Sequence, residues 1–381
     1  MSAQRRNGAQ PGYHRIVAKF GTNLLTAGSD RLDTGVMSSL VEQAVRLMDE
    51  GREVLIVTSG AIAAGRERLA PTRERRSMSF RQVLASVGQT RLMQAYDQLF
   101  AGHGRVAAQT LLSKRDLSDR IGYLNARNTL LGLLECGVVP VINENDAVAI
   151  DEIAGAKIGD NDNLSALVAN LIDADVLTIL TDTGGLYDAD PRTHKHATLI
   201  PRVERITKEI EAIAGGGAED SRGTGGMVTK LQAAKLATGG GSDVFIAGGH
   251  ERDVLHRIAS GEHVGTMLPA RSSRMESRKR WMLAGLATKG CIFVDPGAER
   301  AVLEQRKSLL PAGVREVQGP FKRGDTINIC GPDGHAIACG ITNYDDRELT
   351  EIRGVRSDRI AGVLGHEYGA EAVHRNNLVL L

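Results

Sequence analysis

Short apolar runs alternate with amphipathic stretches from residue 16 to about residue 260, and this alternation restricts the fold more than any other feature. Continuous apolar runs are typical of strands buried on both faces, and the amphipathic stretches are typical of helices. We therefore predict an α/β fold, an open αβα sandwich with a mostly parallel central sheet. The predicted strands cover residues 16–20, 54–58, 106–110, 138–142, 176–180 and 244–247, and the predicted helices cover residues 36–50, 81–100, 124–135, 164–172, 227–238 and 253–260.

The size and charge of the chain exclude several broad classes of protein. With 381 residues, 42% of them apolar and 24% charged, the chain is long enough for two or three globular domains. A formal net charge of +1 does not indicate a nucleic-acid or membrane-surface binder. No apolar run approaches the ~18 residues of a membrane-spanning helix, and residues 1–12 lack the apolar run of a signal peptide. The four cysteines show no CxxC spacing and most lie in apolar runs, so we expect buried thiols in a reducing cytosol.

Small and polar residues follow most of the predicted strands. In a parallel sheet, ligands bind beyond the carboxyl ends of the strands, so these residues are candidates for one site. Each cluster alone is also compatible with an ordinary turn, but their joint placement along one edge favours a ligand site. The clusters are Lys19-Phe20-Gly21-Thr22-Asn23, Ser59-Gly60-Ala61, Asn143-Glu144-Asn145-Asp146, Thr181-Asp182-Thr183-Gly184-Gly185 and Gly248-Gly249.

Four consecutive Asp and Asn residues, Asp160-Asn161-Asp162-Asn163, precede the predicted helix 164–172. One such residue is enough to cap a helix, so a plain cap is the simpler interpretation but does not account for all four. Two nearby carboxylates repel each other unless a cation lies close to them. Mg²⁺ or an ammonium-bearing substrate would supply that charge, which makes Asp160 and Asp162 candidate metal ligands.

A glycine-rich stretch, residues 215–229, leads into the predicted helix 227–238. Backbone N–H groups of such a loop form an anion site at a helix start, and Lys230 adds a positive charge. A flexible loop is the alternative. The stretch is not a Walker A motif, and the chain contains no G-x-G-x-x-G motif.

The composition changes after residue 267. A basic stretch, residues 271–280, is most simply a solvated linker. Short β-like runs broken by Gly and Pro then follow at 291–294, 314–317, 326–330 and 336–342, which predicts a small β-rich domain. We expect a first domain at 13–268, a linker at 269–288 and a second domain at 289–370.

The quoted motifs resemble those of the glutamate 5-kinase family, within the amino-acid-kinase fold. The resemblance extends over nearly the whole chain, and the C-terminal segments 308–313, 321–325 and 340–344 are similar to the PUA domain fused to many bacterial members. One difference is the segment 154–156, which is expected to lengthen a loop beside the substrate site. The matching runs are 19–22, 57–65, 141–148, 159–166, 180–182 and 223–234.

The resemblance implies an ATP- and Mg²⁺-dependent kinase that phosphorylates the side-chain carboxylate of L-glutamate, the first step of proline biosynthesis. The residues agree with this chemistry. A carboxylate with a pKa near ~4.3 is already ionised at neutral pH and needs no base, and none of these motifs contains one of the ten histidines. Catalysis would then consist of positioning and charge neutralisation.

The resemblance also implies roles for individual residues. Lys19 and Lys230 would neutralise the transferring phosphoryl group, and Asp162 would hold these lysines or face Mg²⁺, two alternatives that the sequence does not separate. The candidate glutamate-binding residues are Ser59, Gly60, Ala61, Asp146 and Asn161. The candidate ATP-binding residues are Lys19, Gly21, Thr181, Asp182, Thr224, Gly225, Gly226, Met227, Val228, Thr229 and Lys230.

Two other functions are compatible with parts of the sequence. PUA domains bind RNA in other proteins, but residues 289–381 contain 12 Lys and Arg against 13 Asp and Glu, without the basic character that RNA binding needs. A kinase of another small acid is the second alternative. Family members typically form dimers or tetramers and are inhibited by proline, so we expect a homo-oligomer and a proline feedback inhibitor.

Overall fold

The computed structural model describes residues 12–70, 78–148, 161–215, 226–271 and 288–381. The chain divides into two compact units. One contains Met1–Ser118 and Ala126–Ser273, and the other contains Asp119–Asn125 and Arg274–Leu381.

The first unit is built around a seven-stranded sheet with the strand order β3-β4-β2-β1-β5-β6-β7. All neighbouring strands pair in parallel except β7, which is antiparallel to β6. Strand β1 is central, since Val17 lies opposite Leu55 of β2 and Leu177 of β5. The strands are β1 Arg15–Phe20, β2 Glu53–Val57, β3 Ala107–Leu112, β4 Val139–Glu144, β5 Val176–Thr181, β6 Asp243–Gly248 and β7 Thr266–Leu268.

Ten helices accompany these strands in the part of the chain that the structure describes up to residue 271. They are α1 Thr22–Leu25, α2 Thr34–Asp49, α3 Ala61–Leu69, α4 Met78–Ala101, α5 Lys114–Ser118, α6 Arg120–Glu135, α7 Asn161–Leu171, α8 Lys208–Ala214, α9 Met227–Gly240 and α10 Val254–Ala259.

In helix α2, the local sequence determines where the helix begins and which face is buried. The Asp33 carboxylate accepts a hydrogen bond from the Val36 N–H at 3.0 Å, which caps the first turn. Met37, Leu40 and Ala44 recur every three or four residues and are fully buried. They join the core cluster formed by the strands, so the amphipathic period of the sequence determines which face of the helix packs inward.

The predicted fold class is confirmed. All six predicted strands of the first unit form, each with bounds within two residues of the prediction. Strand β7 and the helices α1, α3, α5 and α8 were not predicted. Strand β7 has three residues and α1 has four, which is too short to show a periodic pattern. Helix α3 was missed because it buries small residues, Ala61, Ala64 and Gly65, instead of a stripe of large apolar ones.

The second unit contains a five-stranded mixed sheet with the order β12-β11-β10-β8-β9. Strand β8 pairs in parallel with β10, and the other pairs are antiparallel. The predicted β-rich character is therefore correct, although β12 and the helices were not predicted. The elements are β8 Cys291–Val294, α11 Pro296–Leu303, β9 Val314–Gln318, β10 Thr326–Cys330, β11 Ala336–Ile341, α12 Asp346–Ile352, α13 Ile360–Leu364 and β12 Leu378–Leu380.

Long apolar helices of the kind that cross a bilayer do not occur among the described residues. The four cysteines are free thiols, and the predicted burial is correct for Cys330 and Cys339. It is wrong for Cys136, which is exposed, and for Cys291, which is only partly buried.

Helices α3 and α4 pack so closely that two glycines are required between them. A Cβ atom at Gly88 of α4 would overlap the carbonyl oxygen of Ala61, and a Cβ atom at Gly65 of α3 would overlap that of Leu84. These neighbours are backbone atoms, so they can move only if a whole helix moves. The contact fixes the start of α3 relative to α4.

We expect Gly88→Ala to destabilise the protein by about 1–3 kcal/mol, because the added methyl forces the two helices apart. Gly132→Ala on α6 is the matched control, since a Cβ there meets nothing within 4 Å. That change should be neutral or stabilise by up to about 1 kcal/mol, because alanine has the higher helix propensity. Urea denaturation of both variants measures the difference, and equal stability of the two would contradict the packing argument.

Candidate active site

Three buried charges meet at the carboxyl edge of the first sheet. The Lys19 ammonium forms an ion pair with Oδ1 of Asp162, and the Lys230 Nζ lies 3.4 Å from Oδ2 of the same carboxylate. The side chains of Lys19, Asp162 and Lys230 are only 7%, 1% and 8% exposed. The structure therefore brings together the three residues that the sequence analysis proposed as catalytic, in one group that we call the lysine–aspartate cluster.

The fold explains why these residues converge. Lys19 is near the carboxyl end of β1, Asp162 is in the first turn of α7, and Lys230 is in the first turn of α9. In parallel α/β folds the carboxyl ends of strands and the starts of helices share one edge of the sheet. The charges are therefore held by three rigid elements that are far apart in the sequence.

Opposite electrostatic effects act on the members of the cluster. Burial raises the pKa of the Asp162 carboxyl, but the charges of Lys19 and Lys230, with hydrogen bonds from Lys19 and Thr229, lower it to about 2. Burial lowers the pKa of Lys230, and the positive charge of Lys19 lowers it further, while Asp162 opposes this shift. The carboxylate thus holds two ammonium groups together that would otherwise repel each other.

Thr229 completes the surroundings of the carboxylate. Its hydroxyl lies 2.8 Å from Oδ2 of Asp162 and 2.8 Å from the Gly226 carbonyl oxygen, so it can donate to either. Both Asp162 oxygens face ammonium groups. The arrangement favours lysine positioning, one of the two roles that the sequence left open for Asp162. No group of three or more His, Cys, Asp or Glu residues suited to a metal ion occurs among the described residues.

A second polar group adjoins the first through the start of α7, and we call it the amide cluster. The Asn161 Nδ2 donates to the Ser59 Oγ at 3.0 Å and to the Asn143 Oδ1 at 3.1 Å. The Asn143 Nδ2 donates to the Gln89 Oε1 at 2.8 Å. Because Asn161 and Asp162 are consecutive, the amide cluster and the lysine–aspartate cluster lie side by side.

The start of helix α3 provides backbone donors beside the amide cluster. Gly60 caps this helix with φ of +103°, a left-handed conformation that favours glycine, and Ser59 and Ala61 are buried on either side of it. Free N–H groups at a helix start and its positive dipole end attract a carboxylate. These features agree with the predicted substrate-binding roles of Ser59, Gly60 and Ala61, which stay predictions.

Asp146 lies in the turn after β4. Burial raises the pKa of its carboxyl, and the charge of Arg81 opposes that shift. A partly desolvated carboxylate at this edge suits an ammonium group of a ligand, which is the role predicted from the sequence.

Several predicted nucleotide-binding residues lie at the ends of β1 and β5. The amide cluster lies on the opposite side of β1, towards β2 and β4. The buried Thr181 donates to Asp182 at 2.9 Å, and the Asn23 amide donates to the same carboxylate at 3.3 Å. Burial raises the pKa of Asp182, but these hydrogen bonds and the charge of Lys230 lower it on balance. Gly21 is close to the cluster, since a Cβ there would lie 3.8 Å from the Lys19 Nζ.

The remaining predicted nucleotide residues are only partly described. Gly226 precedes α9, while Met227 and Val228 begin it, with Val228 exposed. The predicted residues Thr224 and Gly225, the candidate metal ligand Asp160 and the segment 154–156 lie outside the described residues.

Sequence reasoning assigned no role to Asn23, Asn143 or Gln89. Asn23 and Asn143 belong to strand-end clusters, so their position was a usable signal. Gln89 lies within the long helix α4, and its contact with Asn143 depends on tertiary packing that has no local sequence signature.

We expect Asp162→Asn to destabilise the protein by about 3–5 kcal/mol at pH 7, because two buried ammonium groups lose their counter-charge. A buried lysine with a lowered pKa binds fewer protons in the folded state than in the unfolded state. The stability of the variant should therefore rise with pH, and its deficit relative to wild type should shrink towards pH 9.5. Urea denaturation at both pH values tests this, with the exposed Asp97→Asn on α4 as control. Unchanged stability of Asp162→Asn at pH 7 would refute the charge argument.

Comparisons with known proteins identify the family of the chain. The amino acid kinase family profile matches residues 14–248, and the PUA domain profile matches residues 290–364. The chain is 51% identical to the glutamate 5-kinase of Dehalococcoides mccartyi strain CBDB1, over 97% of this chain and 99% of that protein. It is also 51% identical to the glutamate 5-kinase of Herpetosiphon aurantiacus (96% and 98% covered) and 50% identical to that of Deinococcus radiodurans (96% and 100% covered).

These matches with the glutamate 5-kinases cover nearly the whole chain. The chain therefore belongs to the amino acid kinase family and, within it, to the glutamate 5-kinases.

Proposed function

We propose that the chain transfers the γ-phosphoryl group of ATP to the side-chain carboxylate of L-glutamate, giving L-glutamyl 5-phosphate and ADP. The observation that carries this proposal is the lysine–aspartate cluster, which holds two buried ammonium groups next to a polar cluster suited to an amino acid. Relatives that are about half identical over nearly the full chain support the same reaction.

The two lysines act on the charge of the transferring group. Lys19 and Lys230 come from different elements and converge on one carboxylate, so both ammonium groups are fixed before the substrates bind. They neutralise the equatorial oxygens of the phosphoryl group as it moves from ADP to glutamate. Preorganised donors in a buried site stabilise a transition state more than mobile ones in water. Asp162 is a positioning residue in this scheme, because its carboxylate holds both lysines.

The acceptor needs no general base. The side-chain carboxylate of glutamate is ionised at neutral pH and is therefore already a nucleophile. Its other carboxylate is bound by the Ser59 hydroxyl and the backbone N–H groups at the start of α3. Its ammonium group is bound by Asp146 and by the carbonyl oxygen of the Asn161 side chain.

ATP binds along the opposite side of β1, against Gly21, Thr181, Asp182 and the residues from Thr224 to Lys230. Mg²⁺ is a hard cation that prefers oxygen ligands, and it would enter with ATP and offset the negative charge of the phosphates. Asp162 does not hold it, since both oxygens of this carboxylate face lysines.

The wider setting of the enzyme belongs to the same proposal. We place it in the cytoplasm, in agreement with its free thiols. A homo-oligomeric assembly and feedback inhibition by proline follow from the family resemblance. RNA is not a proposed partner, because the residues from 289 onward carry a net charge of −1.

An assay in which hydroxylamine traps the acyl phosphate tests the reaction directly. We expect hydroxamate to form only when ATP, Mg²⁺ and L-glutamate are all present. L-Aspartate, which is one methylene shorter, is the matched control and should give little product because its carboxylate does not reach the phosphoryl group. Hydroxamate with aspartate but not glutamate would show a kinase of another acid, and none with either would contradict the proposal.

Replacing one ammonium group tests the role of the lysines. We expect Lys230→Met to lower kcat at saturating substrates by about 10²–10³-fold, the usual loss when a preorganised transition-state donor is removed. Lys235→Met on the same helix is the control, because Lys235 is exposed and contacts only Glu211, at 3.6 Å, among the ion pairs of the described residues. A rate for Lys230→Met within threefold of wild type would remove Lys230 from the mechanism.

A further inference from the structure

The orientation of the amide cluster follows from one backbone donor. The Glu144 N–H donates to the Asn143 Oδ1 at 2.9 Å, and an N–H group donates only to an oxygen at this position. This contact distinguishes the oxygen of the Asn143 side chain from its nitrogen, which are otherwise hard to tell apart. The Asn143 Nδ2 must then point towards Gln89.

The same logic extends to Asn161. Because the Asn143 Oδ1 accepts from Asn161, the side chain of Asn161 presents its nitrogen to Asn143 and to the Ser59 hydroxyl. Its oxygen therefore points to the other side. This Asn161 Oδ1 is buried and accepts no hydrogen bond from the part of the chain that the structure describes. A buried acceptor of this kind needs a donor, and the only hydrogen-bond donor of glutamate at neutral pH is its ammonium group.

Gln89 stands at the far end of this chain of hydrogen bonds. Its Oε1 accepts from the Asn143 Nδ2 at 2.8 Å, while its Nε2 is buried and has no hydrogen-bond partner within the described ranges. If the Gln89 amide were flipped, its NH₂ group would face the NH₂ group of Asn143, and neither could accept a hydrogen bond. The observed orientation is therefore the one that gives the buried Asn143 Nδ2 an acceptor.

We propose that Gln89 is a positioning residue that fixes the Asn143 and Asn161 amides, so that the Asn161 Oδ1 faces the ammonium group of the substrate. Without the Gln89 oxygen, the buried Nδ2 of Asn143 loses its acceptor, and the Asn143 side chain turns to find another. Asn161 then loses the partner that orients it. The link to glutamate rests on the proposed function, whereas the link between the three amides does not.

The test has one arm without substrate and one with it. In ¹⁵N–¹H spectra, the side-chain NH₂ signals of Asn143 and Asn161 can be identified by their loss in the Asn143→Ala and Asn161→Ala variants. We expect Gln89→Met to shift both signals, and Gln98→Leu, an exposed position on the same helix, to shift neither. Signals that do not move in Gln89→Met would overturn the proposal, whatever the enzyme turns over.

In the kinetic arm, Gln89→Met should raise KM for glutamate about tenfold, which corresponds to about 1.4 kcal/mol. The KM for ATP and kcat should stay within about twofold, because a transition-state contact is not removed. The increase should vanish in the Asn161→Ala background, since Gln89 acts through Asn161. An increase of the same size in that background would contradict the proposal. A wild-type enzyme without activity on glutamate would instead contradict the proposed function and leave the spectroscopic arm to decide the amide link.

A second variant, Gln89→Glu, tests the same proposal if Gln89→Met does not fold. Gln89→Glu keeps an oxygen facing the Asn143 Nδ2, replaces the unpartnered NH₂ donor with a second oxygen and adds a negative charge at neutral pH. The Asn161 NH₂ signal should then stay close to its wild-type position, and its loss or a large shift in Gln89→Glu would overturn the proposal.

Discussion

The contact on which the rest of the site depends is the meeting of two lysines on one buried carboxylate. Without Asp162, the buried ammonium groups of Lys19 and Lys230 would face each other with no counter-charge. Burial and the positive charge of Lys19 both lower the pKa of Lys230. The carboxylate offsets this cost and its own pKa falls to about 2. A buried charge group of this kind contributes little net stability compared with apolar packing. Its value is functional, since it fixes two positive charges before a highly charged substrate arrives.

The sheet supplies the rigidity that this arrangement needs. Strand β1 lies between β2 and β5, so the loops after these strands reach the site from both sides of Lys19. Helix α7 connects the two clusters of the site, because Asn161 belongs to the amide cluster and Asp162 to the lysine–aspartate cluster. One helix start thus connects the residues proposed to hold glutamate with those proposed to act on the phosphoryl group. The close packing of α3 and α4 at Gly65 and Gly88 fixes the start of α3, next to Ser59 of the amide cluster.

Much of this arrangement could be predicted from the sequence, for a topological reason. The strand–helix alternation implied a parallel sheet, and that sheet places Lys19, Ser59, Asn143 and Thr181 along one edge regardless of their separation in the chain. The sequence could not show which partner Asp162 would take, because a carboxylate at a helix start suits a cap, a metal or a lysine equally well. Only the three-dimensional contacts with Lys19 and Lys230 favour the last. The contact of Gln89 with Asn143 could not be predicted, because a glutamine within a helix has no distinguishing sequence pattern. The missed helix α3 and strand β7 have a related cause, since small residues and three-residue strands carry little periodic signal.

The central claim is that the two ammonium groups recognise the charge of the phosphoryl group in transit more strongly than the nucleotide itself. The most direct measurement is the affinity for ADP with aluminium fluoride, a mimic of the transferring phosphoryl group, in the presence of glutamate, compared with the affinity for ADP alone. For Lys19→Met and Lys230→Met, we predict that the mimic binds about 10²-fold more weakly while ADP binding changes by less than about threefold, because these contacts form mainly in the transition state. An equal loss of affinity for the mimic and for ADP would contradict the account, since the lysines would then serve only to bind the nucleotide.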